Sequence, residues 1–262
     1  MKKIGIFIVL IGLVFGLSAQ QAENAAAINK AGRQRMLSQR MMKDYLMIGS
    51  GVKVEAAKKE LDASVASFEE TFLELQDYAP NKEVEDALSV VEELWMPYRM
   101  NVVSEPNKEM ATSLIKESDE LLKACHQVVL KIQEYSKQNS AELINVAGRQ
   151  RMLSQRISMY YTAFYWDIND SSIVPQFTTS IQEFGDALNM LSDSDLNNEE
   201  IIVKLKKVKM QWEFSKKSFD LSSGNLMPSL IYVTTNSILK KMNSVVSLYQ
   251  GVMSNTETAS LN

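Results

Sequence analysis

The chain has 262 residues, 45% of them hydrophobic and 23% charged, enough for one or two globular units and too apolar for a disordered segment. Its 28 Lys+Arg against 32 Asp+Glu give a net charge of -4, so there is no whole-molecule basic field and no nucleic-acid partner is expected. One Cys and one His exclude an internal disulfide, a zinc site of several Cys or His ligands, and any Ser-His-Asp triad not built on His126; no metal, no cofactor and no enzyme is expected.

Lys2 and Lys3 precede an apolar run from Ile4 to Leu17 that closes on Ser18 and Ala19, the pattern of a cleaved secretory signal over residues 1–19. The run is shorter than the roughly 20 apolar residues of a spanning helix, so the mature chain is expected to be periplasmic or secreted. Ten Gly and five Pro in this length favour long helices. Gly49-Ser50-Gly51 divides a first helix (22–48) from a second (52–78), Pro80-Asn81 opens a third (82–102), and Pro106-Asn107 opens a fourth. Beyond Asn107 there is no Pro and only Gly148 as far as Ile168, so the fourth helix is predicted to run on into the next unit. Cys125 falls in that stretch, at core spacing with Leu122 and Val129. Asn169 to Ser172, Asp193 to Asn198 and Ser222 to Asn225 punctuate the second half in the same way.

The chain is a duplication. The segment from Ile28 to Arg40 recurs from Ile144 to Arg156, identical at twelve of thirteen positions. Weaker matches continue at nearly the same offset: Phe68 with Phe184, Trp95 with Trp212, and Val128-Val129 with Val245-Val246. A unit of this size with helical periodicity is a four-helix bundle. The expected fold is therefore all-α: two tandem up-down bundles, 20–138 and 139–255, joined by a long shared helix, with a polar tail at 256–262. End-to-end bundles would hold the two repeated segments roughly 20 to 40 Å apart on either side of the joint, whereas a kink near Gly148 would fold them side by side.

At 100° per residue Ile28, Gly32, Arg35, Gln39, Met42 and Leu46 share one stripe, so Arg35 interrupts an apolar face, as Arg151 does in the repeat. A guanidinium keeps its proton at working pH and needs a carboxylate, carbonyls or a bound anion if that face is buried. Gly32 and Gly148, nearly one turn earlier, leave room for a close approach at a cost of about 1 kcal/mol relative to Ala. Arg33 and Arg40, with Asn29 and Met36 between them, form a second cluster of donors; Arg149, Arg156 and Asn145 repeat it. A lattice of arginine-carboxylate pairs holding helices together would give the same pattern, and residue chemistry alone leaves both readings open. Met36, Met41, Met42 and Met47 read as core filler, Trp95, Trp212, Tyr98 and Phe214 as core aromatics, and Tyr160-Tyr161 with Phe164 to Trp166 as packing at a bundle end. Glu69-Glu70 and Lys206-Lys207 read as solvated faces.

The repeated segment resembles the signature of the N-terminal domain of type IV pili methyl-accepting chemotaxis transducers (PilJ-type), which is similar to the nitrate/nitrite sensor domain of NarX-like kinases. The resemblance covers both halves. It implies a helical sensor bundle in which the Arg at the third position after a Gly holds an anion at a helix-helix interface. Gly32 with Arg35 and Gly148 with Arg151 occupy those places, and the chain departs from the nitrate sensors at Arg33-Gln34 and Arg149-Gln150. The expected function is a non-enzymatic, exported ligand-binding sensor whose partner is a small anion or an acidic peptide group. The rival is a scaffold for an envelope or pilus-associated protein, or a homodimer, in which the arginines are interface contacts.

Overall fold

The structure is a computed structural model that describes the backbone at residues 2–137 and 139–255 and side chains at 20–137 and 141–252. The expected signal segment therefore lies outside the described side chains, and the tail 256–262 outside the described residues. Among the described residues there are eight helices and no strand: α1 (Lys2–Gly49), α2 (Val54–Tyr78), α3 (Lys82–Val102), α4 (Lys108–Ser136), α5 (Asn139–Tyr165), α6 (Ile173–Ser192), α7 (Glu199–Lys216) and α8 (Pro228–Asn255). No helix among them is long and apolar enough to cross a membrane.

The breakers act where their chemistry predicts. Asn81 and Asn107 are N-caps whose Oδ1 atoms accept from the amides of Val84 (3.0 Å) and Met110 (2.8 Å), and Asn198 caps α7 through Ile201 N (2.9 Å). Gly51 takes a positive φ of 74° after α1. The halves share a core plan as well. Phe68 stacks on Trp95 with ring centroids 4.1 Å apart, and Phe184 on Trp212 at the same separation. Tyr45 Oη accepts from Asn107 N (3.1 Å), and its counterpart Tyr161 accepts from Met227 N (2.8 Å). Cys125, Tyr160 and Tyr161 are buried as expected, but Phe214 is not; it projects from α7 into solvent.

The long shared helix does not form. Helix α4 stops at Ser136, where Lys137 adopts the left-handed conformation (φ 52°, ψ 28°) and donates its N–H to Gln133 O. The chain reverses there, without the glycine that usually marks such a turn. Its reversal is driven by what it buries: α5 packs lengthwise on α1, so the apolar stripes of the two repeated segments cover each other. The two helices run parallel. Lys43 Nζ donates to Gln155 Oε1 (2.9 Å), and the Trp166 ring closes over Gly49 at the far end. The bundles lie side by side through a turn at Lys137 rather than a kink at Gly148, and the expected separation of 20 to 40 Å between the repeats is replaced by direct contact. Each half then adds its own helices outward, α4 and α2 against α1, α8 and α6 against α5, with α3 on α4 and α7 on α8.

A Cβ on Gly49 would run into the Trp166 ring. Gly49→Ala is expected to cost about 1–3 kcal/mol through overpacking at this register lock, measured by thermal or urea unfolding.

Candidate functional site

Parallel packing of α1 on α5 sets the two Gly-x-x-Arg segments level with each other. Arg35 and Arg151 are 1% and 4% exposed. Each side chain leans back toward the N-terminus of its helix and crosses to the other: Arg35 Nη2 donates to Asn145 O (3.2 Å) and Arg151 Nη2 to Asn29 O (3.3 Å). Both guanidinium groups lie over both glycines. A Cβ on Gly32 would be 3.3 Å from Arg35 Nη2 and 3.4 Å from Arg151 Nη2; one on Gly148 would meet the same two nitrogens at 3.3 and 3.5 Å. The close approach that the glycines permit is thus made by the arginine forks themselves.

The remaining contacts follow the same pseudo-twofold plan. Arg35 Nη1 lies 3.0 Å from His126 Nδ1, and Arg151 Nη1 donates to Asn243 Oδ1 (3.3 Å). Asn145 Nδ2 donates to Gln133 Oε1, and Asn29 Nδ2 to Gln250 Oε1, both at 2.8 Å. Burial first, then the positive charges of Arg35 and Arg149, pull the His126 imidazole down to about 4. It is therefore neutral near pH 7, and its Nδ1 can accept from Arg35.

Among the described residues neither Arg35 nor Arg151 forms an ion pair with a carboxylate, and the Nε of each is buried without a hydrogen-bond partner. The cationic form is disfavoured on both: burial, then Arg151 and Arg149, lowers Arg35 to about 9, and burial, then Arg33, lowers Arg151 to about 10. Two like charges roughly 5 Å apart in an effective dielectric of about 20 repel by on the order of 3 kcal/mol. Only carbonyls and neutral side chains offset that here.

The outer arginines divide. Arg40 pairs with Glu60, Arg149 with Glu183 at 2.8 Å, and Arg156 with Asp119 at 3.4 Å. These three are interface pairs, as the lattice reading anticipates for them. Arg33 is exposed and has no carboxylate partner among the described residues. It opens on a groove of about 520 Å³ between α1, α2 and α8, lined by Arg151, Asn243 and Asn29 and also by Glu70 and Glu74, of which Glu74 pairs with Lys30 at 3.3 Å. The equivalent groove on the other side, lined by Arg35, His126, Arg149 and Arg156, is about 160 Å³.

The other identical positions of the repeated segment have structural duties. Gln34 and Gln150 donate to the carbonyls of Phe68 (3.5 Å) and Phe184 (3.2 Å), tying each long helix to the aromatic stack beside it. Ser38 and Ser154 bond back to the carbonyls of Arg35 and Arg151. Sequence reasoning missed His126 and Asn243 as partners. They are 117 residues apart, and a polar residue recurring at that offset between Leu122 and Val129, and between Leu239 and Val246, was the available signal.

The family model for the type IV pili methyl-accepting chemotaxis transducer N-terminal domain (PilJ) matches residues 17–117 and again 135–224. The chain belongs to the PilJ family. It carries two tandem copies of the domain, and the Gly-x-x-Arg segments lie one in each. No curated protein and no solved structure matches the chain. The PilJ family is a sensory and signalling one rather than a catalytic one, and this tandem PilJ chain is a helical domain of that type.

Proposed function

We propose that this chain is an exported sensor module that binds one small planar oxyanion between Arg35 and Arg151, over Gly32 and Gly148. The observation that carries this reading is a pair of buried guanidinium groups brought together across a parallel helix pair with no carboxylate among the described residues to neutralise them. A single negative charge placed there turns a mutual repulsion into two charge-assisted interactions, and a planar oxyanion matches the fork of donors that each arginine offers. The larger groove gives the ligand its path, with Arg33 drawing the anion in and Arg151 receiving it. The paired arginines Arg40, Arg149 and Arg156 act as bracing that keeps the central pair in register. A sensory domain of this kind passes its state to a partner, and a change in the α1/α5 contact on binding is the event such a partner would read.

Calorimetric titration of the chain against nitrate, nitrite, sulfate, phosphate, formate and acetate tests the site. Saturable binding of one ion per chain is expected, lost in Arg35→Ala and in Arg151→Ala. Binding that survives both substitutions removes the proposal, and so does the absence of binding by every anion in the series.

A further inference from the structure

Helices α3 and α7 hold equivalent places in the two halves, on opposite flanks of the molecule. Their outward faces have diverged in a complementary way. From Val203 to Lys217 the chain carries six lysines against one carboxylate, Glu213, which is already engaged by Lys216 at 2.9 Å. Val203, Met210 and Phe214 form a ridge down the middle of this face, 49%, 74% and 53% exposed, with Lys206, Lys207 and Lys217 beside it. The equivalent stretch from Asp86 to Met100 carries three carboxylates against Arg99, and Arg99 is held by Glu69 of α2 at 2.9 Å. There too apolar side chains are exposed: Met96 at 54% and Met100 at 72%, one turn apart on one line, with Val90 at 49% to the side of them. Among the described residues Glu92 and Glu93 on α3, and Lys206, Lys207 and Lys209 on α7, are in no ion pair.

We propose that the α7 face of one copy docks on the α3 face of a second copy, head to tail. A single occupant then covers both sets of apolar side chains and neutralises both charge excesses. An anionic bilayer would satisfy α7 alone, leaving the acidic α3 face uncovered on a chain whose net charge is already -4. The geometry permits the match. Because α1 and α5 run parallel, the pseudo-twofold axis lies along the helices, so a copy displaced sideways brings its α3 alongside α7 as a parallel neighbour of similar length. Such a contact is heterologous and does not close on itself, so it propagates into rows. A single helix pair buries less than a standard interface of about 1,600 Å², so the association is weak, and being charge-driven it is sensitive to salt.

Sedimentation velocity of the full chain, across a concentration series at about 50 mM and about 500 mM salt, tests this. The mean mass is expected to rise with concentration at low salt and to fall to the monomer at high salt. Lys206→Glu with Lys209→Glu is expected to weaken the low-salt association by about tenfold or more, as is Glu92→Lys with Glu93→Lys. Mixing these two charge-reversed proteins should restore it, which loss of folding in either could not do. A chain that stays monomeric at low salt overturns the proposal, as does association untouched by the reversals. So does a chain that binds phosphatidylglycerol vesicles through α7 while remaining monomeric.

Discussion

Arg35→Met is expected to leave the ligand-free protein more stable than the parent, by about 1–3 kcal/mol, because it removes one of two buried like charges and replaces it with an apolar side chain of similar reach. The parallel change Arg151→Met should behave alike. For a chain of this size the gain corresponds to a rise of several degrees in Tm. Both variants should lose the further Tm increase that the bound anion gives the parent, which at a hundredfold excess over Kd is about 2.7 kcal/mol. The sign of the ligand-free effect is the informative part. Arginines serving as structural cross-braces would make both substitutions destabilising, since each fork also bonds a carbonyl of the opposite helix, Asn145 O or Asn29 O. A fall of more than about 1 kcal/mol in ligand-free buffer would assign them to that role.

The second large effect concerns a cluster found only in the first half. Lys43 and Asp44 are fully buried on α1; Lys43 pairs with Glu60 of α2, which also receives Arg40 and the Asn236 amide. Burial works against the Glu60 carboxylate, yet Lys43 and Arg40 together hold it down at about 2. Asp44 goes the other way: burial raises its carboxyl well above the usual range, and the nearby Glu60 charge adds to the effect despite Lys43. The two carboxyls are thus pushed in opposite directions, although Lys43 Nζ lies between them, 3.2 Å from Asp44 Oδ1 as well as paired with Glu60. Glu60→Ala leaves Lys43 with Asp44 as its one carboxylate and Arg40 with none among the described residues, and is expected to cost about 3–5 kcal/mol in urea unfolding. The cluster around Arg156 supplies the control, because the equivalents of Lys43 and Glu60 there are Met159 and Gln176, and its carboxylate is Asp119 of α4, in the place that Asn236 of α8 takes beside Lys43. Lys43→Met combined with Glu60→Gln follows the repeat at these two positions and should recover most of that loss, since the Lys43–Glu60 pair is removed whole and Arg40 can turn to water, while Asp44 is left as a buried carboxyl without its cation.

Much of this architecture was legible because it was written twice. The offset of 116 to 117 residues located the repeat, the asparagine caps and the helix breaks fixed the elements, and Arg35 in an apolar stripe flagged the central pair. The failure at the joint has a physical cause. Lys137 turns the chain by taking a left-handed conformation at a lysine, a local cost met by burying α5 on α1, and no window of sequence contains that long-range gain. Phe214 reads as a core aromatic from residue type alone, but it follows Trp212 by two residues, which on a helix points its side chain to a different face. The Lys43–Glu60 cluster could have been suspected from adjacent charges where the repeat has Met159-Tyr160, but only the fold brings α2 and α8 to it. Of the repeated motif, the arginines at its centre stand apart from Gln34, Gln150, Ser38 and Ser154, whose identity in both halves is explained by bonds to neighbouring carbonyls.

The parallel pairing of α1 with α5 has one further consequence. A receptor whose two cationic arms belong to separate polypeptides must first find its mate, and its sensitivity then drifts with expression level. Here both arms are covalently supplied in fixed proportion, so dilution cannot dismantle the cleft between them. Freed from the requirement of self-matching, each half could also specialise, one keeping a groove of about 520 Å³ beside Arg33 and the other, where Arg149 turns to Glu183, one of about 160 Å³.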